Sequence, residues 1–440
     1  MTIDPRTPVI IGVGQLNHRA AGIDDALEPV ALMEASVRLA AADAGLRTVP
    51  TPDTVRVVSV IGWRYRNAPR FLAERLGFDH SPGKVRLEES TDGGNSPQAL
   101  VNQTARDIAG GTLDIAILPG AEAFRPFMRA RRAGVELDWP KADKNDETDR
   151  PTKLGAELTM NLPAELERGI VMPVQIYPMF ETALRSAAGR TVAEHRDHLG
   201  RLWSDLSAVA ATNPNAWIQQ AKTPEEITEV DASNRMIGLP YTKAMNSNSD
   251  VDQGAAVIMC SAEAAQRLGV DADRWVFPQS GTDCREHDFV SHRDTFARTP
   301  AIEVGGALAL QLAGVDIDDV ELIDLYSCFP SAVQLGAQSL GVDLFARQWS
   351  RTGGLPFAGG PWNNYPMHAI ATIVGELRER RDATAFVWAN GGYATKHAFG
   401  VYATTPPADG FRWSSPQDEI DALPRRELAS PTEAAGPADI

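Results

Sequence analysis

The stretch that most constrains this chain is residues 90–124, STDGGNSPQALVNQTARDIAGGTLDIAILPGAEAF. It places a glycine-bearing turn, a helix start and a short apolar strand in succession, the parts from which α/β folds build sites. Asn95 or Ser96 suits the N-cap, Pro97 suits the first helical position, and Leu100, Val101, Ala105 and Ile108 recur at helical spacing. Gly110 and Gly111 end that helix. Residues 114–118 are short and apolar enough for a strand buried on both faces, with Pro119-Gly120 expected to break it. The helix start offers unpaired backbone N–H groups and a partial positive charge to whatever docks above Gly93 and Gly94, which suits a carbonyl oxygen or an oxyanion. Their spacing is neither the dinucleotide fingerprint nor the phosphate loop, so the glycines taken alone describe a tight turn.

The remaining composition narrows the class. A chain of 440 residues with 43% apolar content has room for two or three domains around a large core. Its 58 acidic against 42 basic residues give a formal charge of −16, which argues against general nucleic-acid binding. Cys260, Cys284 and Cys328 are too few and too scattered for a disulfide framework, which points to a reducing compartment and a cytoplasmic protein. No signal peptide is read ahead of Pro8, and the apolar runs fall far short of the roughly 18 to 20 residues a membrane span needs.

In order, residues 8–15 read as a buried strand, 29–42 as a helix, 55–61 as a strand and 71–76 as a short helix. From 125 to 242 tryptophans, prolines and charge clusters replace long apolar strands, which reads as an inserted, mostly helical domain. Arg125, Arg129, Arg131 and Arg132 form a basic cluster suited to phosphate or to a solvated helix face. Residues 141–150 read as a mobile loop, and 177–187 and 194–210 as amphipathic helices. His195 and His198 lack further ligands at a useful distance and read as surface residues. Cys284, His287 and His292 lack a fourth ligand, so no metal site is assigned. After 252 the α/β alternation resumes: helices at 301–313, 331–340 and 368–380, strands at 320–325, 385–389 and 400–404, and a glycine-rich loop at 353–361. This echo of the first part suggests a duplicated unit. The expected division is 1–124 with 243–272 as one half, 125–242 as the insertion, 273–405 as the second half and 406–440 as a polar tail. That tail also suits a linker ahead of a further domain.

Four motifs, TDGGNSPQA at Thr91, DLYSCFPSA at Asp324, GGLPFAGGPWNNY at Gly353 and WANGGYATKHA at Trp388, together resemble the thiolase superfamily, nearest its sterol-carrier-protein-type and acetyl-CoA acetyltransferase-like members. The resemblance implies two duplicated α/β halves in a layered αβαβα arrangement, a loop domain inserted in the first half, and coenzyme A or acyl-CoA as ligand in lipid metabolism, without a further cofactor. It places the family's nucleophilic cysteine on Gly93, its activating histidine on Gly360 and its acid/base cysteine on Ala389, with Tyr326 at a polar catalytic position. Claisen condensation and thiolysis need a thiolate, a base and oxyanion donors. Glycine and alanine side chains supply none of them.

The expected cradle is therefore Gly93, Gly94, Asn95, Ser249, Gly391 and Gly392, with Arg129, Arg131 and Arg132 for the nucleotide phosphates. The first expectation is an acyl-CoA-binding relative without ordinary thiolase turnover. The second is a retro-aldol lyase with Tyr326 as base, relayed through Asn390 or His368, and an OB-fold partner domain or subunit. The third is a scaffold with a vestigial site. Family habit adds a homodimer through edge strands of the first half.

Overall fold

The computed structural model describes residues 3–141 and 149–428, so most of the loop expected at 141–150 and the last twelve residues of the tail lie outside the described residues. The first half is built from β1 (Pro8–Asn17), α1 (Pro29–Asp43), β2 (Thr54–Val57), α2 (Ala68–Leu76), β3 (Arg86–Ser90), α3 (Ser96–Ala109) and β4 (Ile115–Ala123). The insertion contributes α4 (Phe124–Ala133), β5 (Thr152–Leu154), α5 (Pro163–Glu167), α6 (Pro173–Ala187), α7 (Val192–Thr212), α8 (Pro224–Thr228) and the hairpin β6 (Met236–Gly238) with β7 (Tyr241–Thr242). The chain then returns through β8 (Asp252–Ser261) and α9 (Ala262–Arg267). The second half holds β9 (Phe277–Arg285), α10 (Pro300–Ala313), β10 (Leu322–Leu325), α11 (Pro330–Leu340), α12 (Tyr365–Glu379), β11 (Thr384–Gly391), β12 (Lys396–Ala403), β13 (Arg412–Ser414) and α13 (Gln417–Asp421).

Duplication is visible in the pairing. The first sheet runs β1-β8-β4-β2-β3-β5 and the second β10-β11-β12-β9-β13. In the first, β8 lies antiparallel between β1 and β4, and β4 pairs parallel with β2. In the second, β12 lies antiparallel between β9 and β11, and β11 pairs parallel with β10. The same four-strand unit therefore occurs twice. Its strands are buried on both faces, so alternate residues feed different cores. In β8, Ala256, Ile258 and Cys260 face α1 and α2, while Ala255, Val257 and Met259 face α3 and α12. In β11, Ala385 and Val387 face α3 and α12, while Phe386 and Trp388 face α10 and α11. The layers are accordingly α1/α2, sheet, α3/α12, sheet, α10/α11, with α6 and α7 packed beside α11.

Four local expectations change. Pro119-Gly120 does not end β4, because the pairing with β8 continues to Ala123 and the proline sits beyond the last residue paired with β2. Residues 412–421, expected within a polar tail, add β13 parallel to β9 and then α13. The first-half sheet, through whose edge strands a dimer was expected, is extended beyond β3 by the short strand β5. His195 is buried rather than superficial, its Nε2 lying 2.7 Å from Glu181 Oε1.

Helix α3 is held to the first sheet through Arg56, only 1% exposed. Its guanidinium donates to Glu88 at 2.8 Å, Thr104 at 2.7 Å and Asp107 at 2.5 Å. Arg56→Met strands Glu88 away from water without a cation, and removing one member of a buried pair costs about 3–5 kcal/mol. Urea unfolding is expected to show a loss of that size.

Candidate functional site

The N-terminus of α3 lies where the two halves meet. Gly93 has φ of 152° and Gly94 follows it, both buried. The halves close tightly here: a Cβ on Gly94 would stand 2.3 Å from Tyr326 Oη and 2.4 Å from the Asn390 carbonyl oxygen. A Cβ on Gly391 would stand 2.5 Å from Asn95 Oδ1 and 3.1 Å from Gly93 Cα. Any side chain at these glycines forces the halves apart. Gly93, Gly94, Asn95, Tyr326, Gly391 and the Asn390 backbone thus converge as the motifs implied.

Other expected residues stand elsewhere. The Asn390 carboxamide donates to Tyr177 Oη at 3.0 Å, while its backbone carbonyl lies against Gly94. His368 lies over β1, with Nδ1 3.0 Å from Gln15 Oε1. Among the described residues no hydrogen bond reaches Tyr326 Oη. Burial, with the nearby Cys328 thiol, pushes the Tyr326 phenol well above its ordinary value, which favours its protonated form and disfavours the base role expected of it. Gly392 is exposed and turns toward Met160 of the insertion instead of the α3 terminus. Gly360 donates its N–H to the Asn248 carbonyl at 2.8 Å, which brings the half-buried Ser249 segment close to it. Ala389 is fully buried in β11. Arg131 and Arg132 are exposed in the last turn of α4, while Arg129 donates to the Ala20 carbonyl at 3.2 Å.

Among the described residues no thiol is one of the nearest neighbours of Gly93, Gly94 or Gly391, although Cys284 lines the cleft that Asn95 and Ser96 also line. Cys328 is packed behind the α3 terminus, its thiol pushed up to about 12 by burial although Tyr177 hydrogen-bonds to it. Cys260 lies in β8, and Cys284 in β9 hydrogen-bonds to the Ala301 carbonyl at 3.3 Å. Among the described residues no group of three or more His, Cys, Asp or Glu is placed to hold a metal. None of their helices is long and apolar enough to cross a membrane.

Two positions that contact the α3 terminus escaped the sequence reading. Asn363 Oδ1 accepts from Gly93 N–H at 3.0 Å, so a carbonyl oxygen already occupies the donor expected to face a ligand. The Asn363 amide nitrogen is fixed by the Ser59 carbonyl at 3.0 Å and Asp92 Oδ1 at 3.2 Å. Lys396, at the start of β12, reaches across to donate to the Asp92 carbonyl and lies against Gly93. Nothing in local spacing marks either residue. The signal available was their place inside the third and fourth motifs. Beside Asp92, a cleft of about 980 Å³ opens between residues 59–66 and α4, lined by Trp63, Phe124 and Phe127 with Lys141 and Lys153 at its rim.

The chain matches no protein-family model. It matches no curated protein. Among solved structures it is similar to a monomeric SCP2-thiolase-like protein type 1 from Mycobacterium smegmatis, at 32% identity and a TM-score of 0.80, over 97% of this chain and 84% of that one. The chain belongs to the SCP2-thiolase-like proteins of the thiolase superfamily. At the level of fold this SCP2-thiolase-like protein also resembles an Ltp2–ChsH2(DUF35) aldolase, with 19% identity and a TM-score of 0.66 over 91% of this chain and 98% of that one. A human mitochondrial 3-ketoacyl-CoA thiolase in complex with CoA aligns at 14% identity and a TM-score of 0.63, over 92% and 100%.

Two outcomes follow from the packing. Gly93→Ala places a Cβ 2.4 Å from Asn95 Oδ1 and 2.8 Å from Lys396 Nζ on a backbone at positive φ, and thermal melting is expected to show a loss of about 1–3 kcal/mol. Burial lowers the His368 imidazole from 6.5 to about 4, so the unfolded chain takes up a proton there before the folded one does. Its contribution to stability is complete above 6.5 and is lost as pH falls toward 4. A His368→Gln variant should lose less stability across that interval.

Proposed function

We propose that this protein binds a coenzyme A thioester at the α3 terminus and does not carry out cysteine-dependent thiolysis or Claisen condensation. One observation carries the reading: Gly93, Gly94 and Gly391 from the two halves meet at a helix N-terminus that suits a carbonyl oxygen, and position 93, where the resemblance puts the nucleophile, carries no thiol. Asn363, whose amide oxygen sits on Gly93 N–H, is the group a thioester carbonyl would displace. Phe124 and Phe127 of α4 line the cleft beside Asp92, and Arg129, Arg131 and Arg132 lie farther along the same helix. We place the pantetheine arm in the cleft and the phosphates at those arginines. Ser249 supports this end, since Arg125 of α4 donates to the Val251 carbonyl and Val251 to the Ser249 carbonyl.

A second reading, aldol cleavage of an acyl-CoA with an OB-fold partner subunit, is favoured by the unpartnered Tyr326 hydroxyl against Gly94. In that reading Tyr326 gives a proton rather than taking one. In place of the homodimer expected from the family we propose a monomer, because β5 occupies the outer edge of β3.

Titration calorimetry with CoA and acetoacetyl-CoA should give binding that weakens with salt and with Arg129, Arg131 and Arg132 all changed to alanine. No binding would overturn the reading; unchanged affinity in the triple variant would move the phosphates. Thiolysis of acetoacetyl-CoA should stay at background in wild type and in Gly93→Cys, whose new side chain meets Lys396 and Asn95. A dimer mass in light scattering would overturn the monomer.

A further inference from the structure

Lys396 stands where the thiolase resemblance puts the nucleophile. The point a Cβ on Gly93 would occupy is 2.8 Å from Lys396 Nζ and 2.9 Å from its Cε, so the lysine end fills space that a side chain at 93 would need. Asn95 Oδ1 lies 2.4 Å from the same point, buried and without a hydrogen-bond partner in the structure. Amine, orphaned amide oxygen and helix N-terminus therefore converge on one spot. That spot is reachable: Lys396 and Asn95 both line a cleft of about 350 Å³, walled by Thr91, Ser96 and Leu154 and separate from the one against α4.

We propose that Lys396 is the reactive nucleophile of this site, forming an imine with the ketone of a β-keto acyl group. The choice of residue type supports this. The chain has seven lysines among its 42 basic residues, the rest being arginine, and only lysine can surrender its proton and attack a carbonyl. Burial pulls the Lys396 ammonium below its ordinary value, opposed by Asp92 and Glu157. In the step, the neutral amine nitrogen adds to the keto carbon, and the carbonyl oxygen then leaves as water with both amine protons. A carbon–nitrogen double bond replaces the carbon–oxygen one, and nothing is oxidised or reduced. Protonated, the imine accepts the electron pair left when a C–H bond on the neighbouring carbon breaks, which gives an enamine and releases that proton to water. A ketone is the fitting class because attack on the thioester itself would end in an inert amide.

The proposal rests on the thioester reading only for where the acyl chain lies, and the test separates the two. The full chain is incubated with acetoacetyl-CoA, and separately with acetoacetate, in cyanoborohydride. Intact mass spectrometry and peptide mapping follow, with calorimetry of CoA binding in parallel. The expected result is one reduced adduct per chain, on Lys396, absent in Lys396→Arg, which keeps the positive charge. No adduct on folded wild type with either compound, or modification spread evenly over Lys153, Lys141 and Lys396, overturns the imine. CoA binding without adduct overturns it while leaving the thioester reading intact. An acetoacetate adduct on Lys396 without CoA binding supports the imine and overturns the thioester reading.

Discussion

Everything at the site depends on where α3 is held, and α3 is held by buried polar contacts from both sheets at once. From the first sheet, Arg56 reaches Thr104 and Asp107. From the second, Gln98 accepts from Tyr402 Oη at 2.7 Å, while Asn102 donates to the Thr282 and Phe399 carbonyls. Gly281 and Gly400 are what allow the approach: a Cβ on either would stand 2.3 Å from the Asn102 or Gln98 carboxamide. Buried donors and acceptors left unpaired are costly, so these contacts fix the helix axially as well as laterally, which apolar packing alone does less well. The α3 N-terminus is thereby aimed at Gly391.

The second half brings its own anchors to the same point. Arg293, fully enclosed, donates to the Tyr393 carbonyl at 2.6 Å and Thr395 Oγ1 at 2.9 Å, which sets the turn between β11 and β12. Tyr177 of α6 ties that turn to the insertion through the Gly392 carbonyl and Ala394 N–H. The insertion is thus part of the site's framework, and Lys396 is presented to Gly93 from a rigid strand end.

Small residues at the meeting point have a chemical consequence. Where the family resemblance implies side chains at 93, 360 and 389, this chain has Gly93, Gly360 and Ala389, and neighbouring groups move into the space. Asn363 takes the Gly93 N–H and Lys396 takes the volume beside it. The fold is that of a thiolase, and fold similarity at 19% or 14% identity does not by itself carry an activity across.

Much of the architecture was legible in the sequence because it rests on local physics. Strands buried on both faces read as short apolar runs, helices begin at Pro29, Pro97, Pro300 and Pro330 or their neighbours, and the α/β alternation repeats after the insertion. Gly93 and Gly94 were legible only as a tight turn ahead of α3, and their place opposite Gly391 was implied by the family resemblance rather than by their spacing. What only the tertiary structure decided are contacts between residues far apart in the chain. Asn363 meets Gly93 across 270 positions, and Lys396 meets Asp92 across 304. The strands read at 385–389 and 400–404 stop short of Asn390 and Lys396, which lie on β11 and β12, and no local pattern says that Asn390 meets Tyr177 or that Lys396 meets Asp92. The short strands β5 and β13 and the buried His195 went unread for the same reason: a three-residue pairing or a single buried hydrogen bond is stabilised by its partner, and leaves no period of its own in the sequence.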